Sequence, residues 1–179
     1  HLLECFANLY RVDKSEKVHF HLKHCLEVVL DHIIGENKTR MTLFFTEDWE
    51  PQTKAISYGH DIEASWLVLE SAEILGDNHL LERCEKTCFG MARDATEGLQ
   101  ADNGMIYEFD PENGHSNSSR DWWVMAEAMV GFYNAYQMSG KAHYLEKSEN
   151  SWAFIKEFII DHENGEWFGG VTPDHKVTG

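Results

Sequence analysis

The stretch SYGHDIEASWLVLE, residues 57–70, places polar and apolar side chains together at helical spacing. On a helix, His60, Glu63 and Glu70 share one face, and an adjacent apolar stripe includes Trp66. Packing alone explains such a mixed face poorly, so the stretch predicts a pocket. Two structural alternatives stay open: His60 and Glu63 could cap the helix, because an acid in the first turn complements the helix dipole, and Trp66 could belong to the core.

A second stretch repeats this combination of tryptophan and acid. Trp122 and Trp123 open a later predicted helix, and Trp123 precedes Glu127 by one turn. Indole faces beside carboxylates suit a sugar-binding cleft, because a pyranose offers apolar C–H faces for stacking and hydroxyls for hydrogen bonds. Paired tryptophans are also common in cores. Three residues of the segment FFTEDWEP could add to the same rim: Phe44, Asp48 and Trp49.

Composition limits the classes of protein that the chain can belong to. The 179 residues are 42% hydrophobic and 12% aromatic, enough for one domain with a substantial core. A net charge of −16 with scattered basic residues argues against a nucleic-acid partner. No apolar run is long enough to span a bilayer and no signal segment opens the chain, so we expect no membrane partner and a cytoplasmic location.

Apolar residues recur at helical spacing in six segments, so the sequence predicts an all-α class. Short β-prone pieces of hairpin size lie between pairs of segments. The helical segments cover approximately residues 2–10, 18–33, 62–72, 80–88, 121–138 and 145–159, and the β-prone pieces cover 41–45, 105–109 and 167–171.

A long repeat groups the six segments into three helix pairs. Residues 63–82 align with residues 127–146 at a constant offset of 64, and residues 1–25 fit the same template. Long helices at this period predict an α/α toroid, in which the first helix of each pair lines the centre. The inner helices then begin with Glu4, Glu63 and Glu127 near one rim, where we expect the pocket.

Other candidate sites carry weaker signals. Cys84 and Cys88 could form half of a zinc site, but no second pair follows at a usual spacing, so we predict reduced thiols and no metal. The histidines of HFHLKHC fit a solvated outer face. Asn37-Lys-Thr and Asn117-Ser-Ser match the glycosylation pattern, which is short enough to occur by chance. The chain starts inside an apolar-periodic run, so we expect a fragment of a longer protein, a single partial domain over residues 1–179.

Four stretches together resemble a known family. HLLECFANLYR, FFTEDWEP with ISYGHDIEASWL, DWWVMAEAMVGF and NGEWFGGVTPD are similar to the second half of the cellobiose 2-epimerases, in the N-acylglucosamine 2-epimerase superfamily. The resemblance covers nearly the whole chain. It implies half of an (α/α)6 barrel, whose complete ring has about twelve helices. It also implies conversion of the reducing-end glucose of a β-1,4-linked disaccharide to mannose, without a metal or redox cofactor.

The resemblance assigns roles to individual residues. His60 matches a catalytic histidine that exchanges the sugar C2 proton through an enediol, which suits an imidazole with a pKa of about 6.5. Glu63 matches an acid that holds the sugar and assists ring opening. Pocket or supporting positions are matched by His1, Trp66, Trp122, Trp123 and Glu127.

The family's second catalytic histidine lies beyond the segment that this chain contains. His175 is too close to the GEWF motif to be its counterpart, and the arginine-bearing first half of the barrel is also outside the sequence. We therefore expect the isolated chain to be inactive. Three alternatives to cellobiose epimerisation stay open: an aldose–ketose isomerase acting on mannose, an N-acylglucosamine 2-epimerase, and a non-catalytic sugar-binding half-barrel that self-associates through its cut edges.

Overall fold

The computed structural model describes residues 1–35 and 38–178, so Asn37 of the first glycosylation pattern lies outside the described residues. Within the described residues the chain forms six α-helices, as the periodicity predicted. They are α1 Leu2–Val12, α2 Glu16–Val28, α3 Tyr58–Leu75, α4 Asn78–Ala95, α5 Trp122–Ser139 and α6 Ala142–Phe154. Helices α2 and α6 continue as π-helical segments over Val29–Gly35 and Ile155–Ile159.

Local signals in the sequence set the ends of these helices. Helices α3 and α5 end at Gly76 and Gly140, which adopt left-handed backbone angles of φ 70° and 67° that glycine reaches without steric cost. Asp77 begins α4 by accepting hydrogen bonds from the backbone N–H groups of His79 and Leu80. The two glycines occupy equivalent places in the 64-residue repeat, so both copies end in the same way.

The first helices of the three pairs pack side by side, and each packs against the helix that follows it. Helix α3 is the middle one and the most enclosed, with 11 of its 18 residues buried. One hydrophobic cluster, around Leu26 and Val68, joins α1 to α4, and a second, around Ile62 and Phe132, joins α3 to α6. Helix α3 contributes to both clusters, so its position is fixed from two sides.

Two small antiparallel sheets lie where the inner helices α3 and α5 begin. β1 (Ile56–Ser57), β2 (Glu108–Asp110) and β3 (His115–Asn117) form one, in that order. β4 (Arg120–Asp121), β5 (Gly170–Val171) and β6 (Val177–Thr178) form the other. β1 leads directly into α3 and β4 into α5, so the sheets fix where both helices begin. The β-prone pieces 105–109 and 167–171 supply parts of β2 and β5.

The predicted strand over residues 41–45 is wrong. Phe45 forms a single bridge to Pro51, and the rest of the piece has no strand partner. Its backbone groups bond elsewhere: the Met41 N–H donates to the Asp61 carboxylate and the Thr42 N–H donates to the Ile33 carbonyl. β-propensity alone does not supply a neighbouring strand.

The cysteines are free thiols. Cys84 and Cys88 are buried on α4, and burial raises the pKa of Cys84 to about 12, so that its thiol stays protonated. No helix among the described residues is long and apolar enough to cross a membrane.

Candidate active site

A cavity of about 460 Å³ opens where the first halves of the three inner helices meet. α1 and α5 pack on either side of α3, and each of the three helices contributes residues from its first half to the cavity wall. The lining contains all but one of the residues to which the family resemblance assigned a role, together with Glu4 and Leu67. Its residues are His1, Glu4, His60, Glu63, Trp66, Leu67, Trp123 and Glu127.

Three equivalent acids of the repeat converge in this cavity, one from each inner helix: Glu4, Glu63 and Glu127. Burial raises the pKa of Glu63, which the neighbouring His60 partly opposes. Burial also raises the pKa of Glu127, opposed by a hydrogen bond from Trp66 and reinforced by the charges of the other two acids. Carboxyl groups of this kind hold a proton to higher pH than exposed ones.

His60 lies in the first turn of α3, and its imidazole has contacts on two sides. Its Nδ1 atom lies 2.7 Å from the Ser57 hydroxyl. Its ring centroid lies 4.9 Å from that of Trp123, at an interplanar angle of 60°. The side chain is half-buried and lines the cavity, so it is placed to act on a bound ligand.

Trp66 ties α3 to α5 through a polar contact. Its indole Nε1–H donates a hydrogen bond of 2.8 Å to the Glu127 carboxylate. The ring lines the cavity and is only half-buried, so core packing does not account for its position. The pair fixes one indole face and one carboxylate within the same wall.

The two remaining predicted residues differ in position. Trp122 does not line this cavity: its side chain is 48% exposed and its ring packs edge-on against Trp167. Since successive helical residues point about 100° apart, only Trp123 of the pair can face inward here. His1 does line the cavity, with its side chain largely exposed and its Nδ1 3.9 Å from the Glu4 carboxylate.

A neighbouring cavity of about 400 Å³ is also lined by His60 and contains part of the predicted rim. Phe44 and Trp49 line it, whereas Asp48 is exposed and does not. The Trp49 ring stacks on His32 at a centroid distance of 4.4 Å. The loop before α3 therefore brings aromatic side chains close to the imidazole, as the sequence predicted for two of its three candidates.

His175 lies outside both cavities that contain His60. Its Nε2 lies 3.1 Å from Asp102, which also pairs with the buried Arg120 at 3.1 Å. Its ring stacks on Phe158 at a centroid distance of 3.9 Å. These contacts hold the loop between β5 and β6 against the rest of the chain, so His175 has a structural role.

Two polar residues beside His60 had no assigned role in the sequence analysis. Ser57 contacts the imidazole directly. Asp61 is 1% exposed and anchors the segment before the aromatic loop, because it accepts the Met41 N–H at 2.8 Å and pairs with Arg40 at 3.4 Å. Both belong to the motif SYGHD. The sequence signal available for Asp61 was an acid directly after the histidine in the first turn of α3.

Among the described residues, no group of three His, Cys, Asp or Glu side chains is placed to hold a metal ion. The arrangement around His60 offers acid–base groups and aromatic faces. It can bind a polyhydroxylated ligand by stacking and hydrogen bonds and exchange protons with it.

The comparisons with known proteins identify the family. The model of the N-acylglucosamine 2-epimerase (GlcNAc 2-epimerase) family matches residues 1–179. The chain belongs to this family. It is 40% identical to the cellobiose 2-epimerase of Bacteroides fragilis over 174 residues, which is 97% of this chain and 44% of that protein. It is 37% identical to the cellobiose 2-epimerase of Ruminococcus albus over 98% of this chain and 45% of that protein.

Solved structures give the same family and define the fold. A sugar epimerase from a ruminal bacterium superposes with a TM-score of 0.93 at 36% identity, over 99% of this chain and 46% of that one. The cellobiose 2-epimerase of Bacillus thermoamylovorans superposes with a TM-score of 0.91 at 33% identity, over 98% and 45%. The chain spans about half the length of these relatives. Its three helix pairs form half of an (α/α)6 barrel, which confirms the predicted fold class.

Proposed function

We propose that the whole protein is a carbohydrate 2-epimerase that interconverts reducing-end glucose and mannose units, for example cellobiose and glucosyl-mannose. The cellobiose 2-epimerases of Bacteroides fragilis and Ruminococcus albus match 97% and 98% of this chain. The observation that carries the proposal is the position of His60, whose imidazole lines one cavity with Glu63 and Glu127 and contacts the Trp123 ring.

The chemistry of epimerisation explains why these groups are needed. In the open-chain sugar, C2 lies beside the C1 aldehyde, so a base can remove its proton and leave an enediolate. We assign this proton transfer to His60 as general acid–base. Glu63 holds a sugar hydroxyl and assists ring opening, because partial burial raises the pKa of its carboxyl and so brings proton exchange closer to neutrality.

The remaining cavity residues position the sugar. Trp123 and Trp66 offer indole faces to the pyranose C–H groups, and Glu127 accepts hydrogen bonds from hydroxyls while Trp66 holds it in place. His1 supports the opposite wall beside Glu4. Trp122 lies outside this cavity, so we assign it no contact with the sugar unit that reacts.

Inversion at C2 needs a proton donor on the face of the enediolate opposite to His60. Of the histidines that the structure describes, only His1 and His60 line the cavity, and His175 is held by Asp102 elsewhere. We place the second catalytic histidine outside this chain. The isolated chain is accordingly expected to lack epimerase activity.

Product analysis tests the proposal. The whole protein is incubated with cellobiose, and the reducing-end sugar is followed by ¹H and ¹³C NMR. We expect a mannose-ended product to accumulate toward equilibrium with cellobiose. A fructose-ended product would make the protein an aldose–ketose isomerase instead, and binding of cellobiose without any product would make it a sugar-binding protein. Either result overturns the proposed epimerisation.

A further inference from the structure

Ser57 occupies a position where serine usually caps a helix, but its hydroxyl does not cap α3. It is the N-cap residue of α3, and no backbone N–H of that helix donates to its side chain. At the start of α2, Ser15 fills the same position and accepts a hydrogen bond from the Val18 N–H. The Ser57 hydroxyl instead lies 2.7 Å from Nδ1 of His60, three residues later. The usual capping group is therefore committed to the imidazole.

The other full copy of the repeat lacks this pair. Asp121 stands 64 residues after Ser57 and is the N-cap residue of α5. Its carboxylate accepts a hydrogen bond from the Ser119 hydroxyl, and Val124 occupies the place of His60. The contact between hydroxyl and imidazole is thus not a general feature of how these helices begin.

The surroundings of Ser57 fix its hydroxyl in this direction. The residue is 2% exposed and ends β1, where it pairs with Glu108 of β2. Within the part of the chain that the structure describes, Nδ1 of His60 has no other hydrogen-bond partner. A buried hydroxyl and a ring nitrogen that face each other across 2.7 Å satisfy each other, and neither has a substitute at hand.

We propose that Ser57 is a positioning residue that accepts a hydrogen bond from Nδ1–H of His60 and so leaves Nε2 as the proton-accepting atom. This inference rests on the proposed function, in which His60 exchanges a proton with C2. When Nε2 takes that proton, the imidazolium carries hydrogen on both nitrogens and Nδ1–H still donates to Ser57. The same contact therefore holds the ring before and after proton transfer in either direction.

A neutral partner suits a group that must both accept and return a proton. A hydroxyl orients the ring without placing a negative charge against Nδ1, whereas a carboxylate there would favour the imidazolium. The buried carboxylate next in sequence, Asp61, is turned away and bonds to the Met41 N–H and Arg40. The local fold thus gives Nδ1 of His60 the hydroxyl, whereas the Asp61 carboxyl is committed to another contact.

Long-range ¹H–¹⁵N spectra of the full chain, labelled at histidine, test the inference without any need for activity. The His60 signals are assigned by their loss in His60→Ala. In the neutral form of the imidazole, we expect His60 of wild type to carry hydrogen on Nδ1. In Ser57→Ala the majority form should become Nε2–H, which free imidazole side chains favour. Ser57→Thr keeps a hydroxyl and should restore the wild-type form.

Ser65→Ala is the matched control, because it removes another buried serine hydroxyl of α3, one that bonds to the Ile62 carbonyl instead of to a histidine. It should leave the tautomer of His60 unchanged. A wild-type His60 with hydrogen on Nε2, or the same tautomer in wild type and Ser57→Ala, would overturn the inference.

Kinetics of the whole protein separate this inference from the proposed function. We expect Ser57→Ala to lower kcat by at least about tenfold with little change in KM, because a ring in the wrong tautomer impairs proton transfer more than sugar binding. If the protein is no epimerase but Ser57 still sets the tautomer, the proposed function fails and the contact stands. If it is an epimerase whose His60 tautomer does not depend on Ser57, only the inference about Ser57 fails.

Discussion

Around His60, acidic side chains and tryptophan rings line the cavity and also contact each other. The contact between Trp66 and Glu127 is the best defined of these, at 2.8 Å, and it lowers a Glu127 pKa that burial otherwise raises. Glu63 and Glu4 oppose it with their charges. The pKa of Glu127 thus depends in part on this one N–H donor.

Trp66→Phe removes that donor and keeps an aromatic ring. We expect the pKa of Glu127 to rise further. We also expect sugar binding to weaken by about tenfold, because the carboxylate is no longer held in place to accept hydrogen bonds from the sugar hydroxyls. Titration calorimetry or KM for cellobiose would measure this. Trp152→Phe, on α6 away from the cavity, should change neither, and equal affinity in wild type and Trp66→Phe would contradict the assigned role.

Asp61 makes stability depend on pH. Burial raises its pKa from 3.8 to about 7, although the Met41 N–H and Arg40 oppose the shift. Because the folded pKa lies above the unfolded one, the folded chain binds a proton that the unfolded chain releases. The contribution of protonated Asp61 to the free energy of unfolding is therefore fully present below about pH 4 and is lost as the pH rises through 7.

Asp61→Asn cannot titrate, so the difference between wild type and variant isolates this effect. We expect the free energy of unfolding of wild type, relative to the variant, to fall between pH 4 and 7, by up to about 4 kcal/mol at 1.4 kcal/mol per pKa unit. Urea unfolding across this range measures it. A difference that stays constant or grows with pH would show that the Asp61 carboxyl is not destabilised by burial.

At the scale of elements, the first turn of α3 is pressed against the first turn of α5. A Cβ added at Gly59 would lie 2.7 Å from the Trp123 ring and 2.8 Å from a Val124 methyl group. Glycine therefore allows the approach that brings Trp123 to the His60 imidazole. The alignment of the two inner helices, and not their sequences alone, builds this part of the site.

Gly59→Ala should separate these helices or turn the Trp123 ring. We expect a loss of about 1–3 kcal/mol in the free energy of unfolding, which exceeds the helix propensity that alanine gains, and a fall in kcat/KM of the whole protein. Urea unfolding and kinetics would record the two effects. Glu73→Ala, at an exposed position of the same helix, should cause neither, and a Gly59→Ala protein equal to wild type in both would refute the close fit.

The sequence predicted what depends on local signals. The six helices follow from apolar periodicity and caps such as Gly76, and the convergence of Glu63 and Glu127 follows from the 64-residue repeat. Contacts between distant segments were not predictable in this way. Asp61 reaches Met41, 20 residues earlier, and Met41 consequently has no strand partner, because tertiary packing decided both outcomes.

At the scale of the whole molecule, α1 has an apolar face that no described residue covers. Leu2, Leu9 and Val12 recur on this face and are 70%, 43% and 84% exposed. Exposed apolar stripes of this length usually meet another surface. In the chain on its own, we propose that a second copy covers it.

Leu9→Lys places a charge in the middle of this face. We expect the chain to sediment as a dimer at high concentration and the variant to sediment as a monomer, because burying an unpaired charge is costly. Analytical ultracentrifugation over a concentration series would show this. Trp152→Lys changes an exposed aromatic residue elsewhere and should leave the dimer intact. A monomeric wild-type chain, or a Leu9→Lys chain that still dimerises, would rule out this face as the interface.

Hydrogen exchange at the sugar's second carbon tests the assignment of His60 most directly. The whole protein is incubated with cellobiose in D2O, and deuterium at C2 is followed by NMR in wild type, His60→Ala and the exposed-surface control His79→Ala. We predict that wild type and the control incorporate deuterium at similar rates and that His60→Ala is slower by a factor on the order of 100 or more. An unchanged rate in His60→Ala would contradict the account.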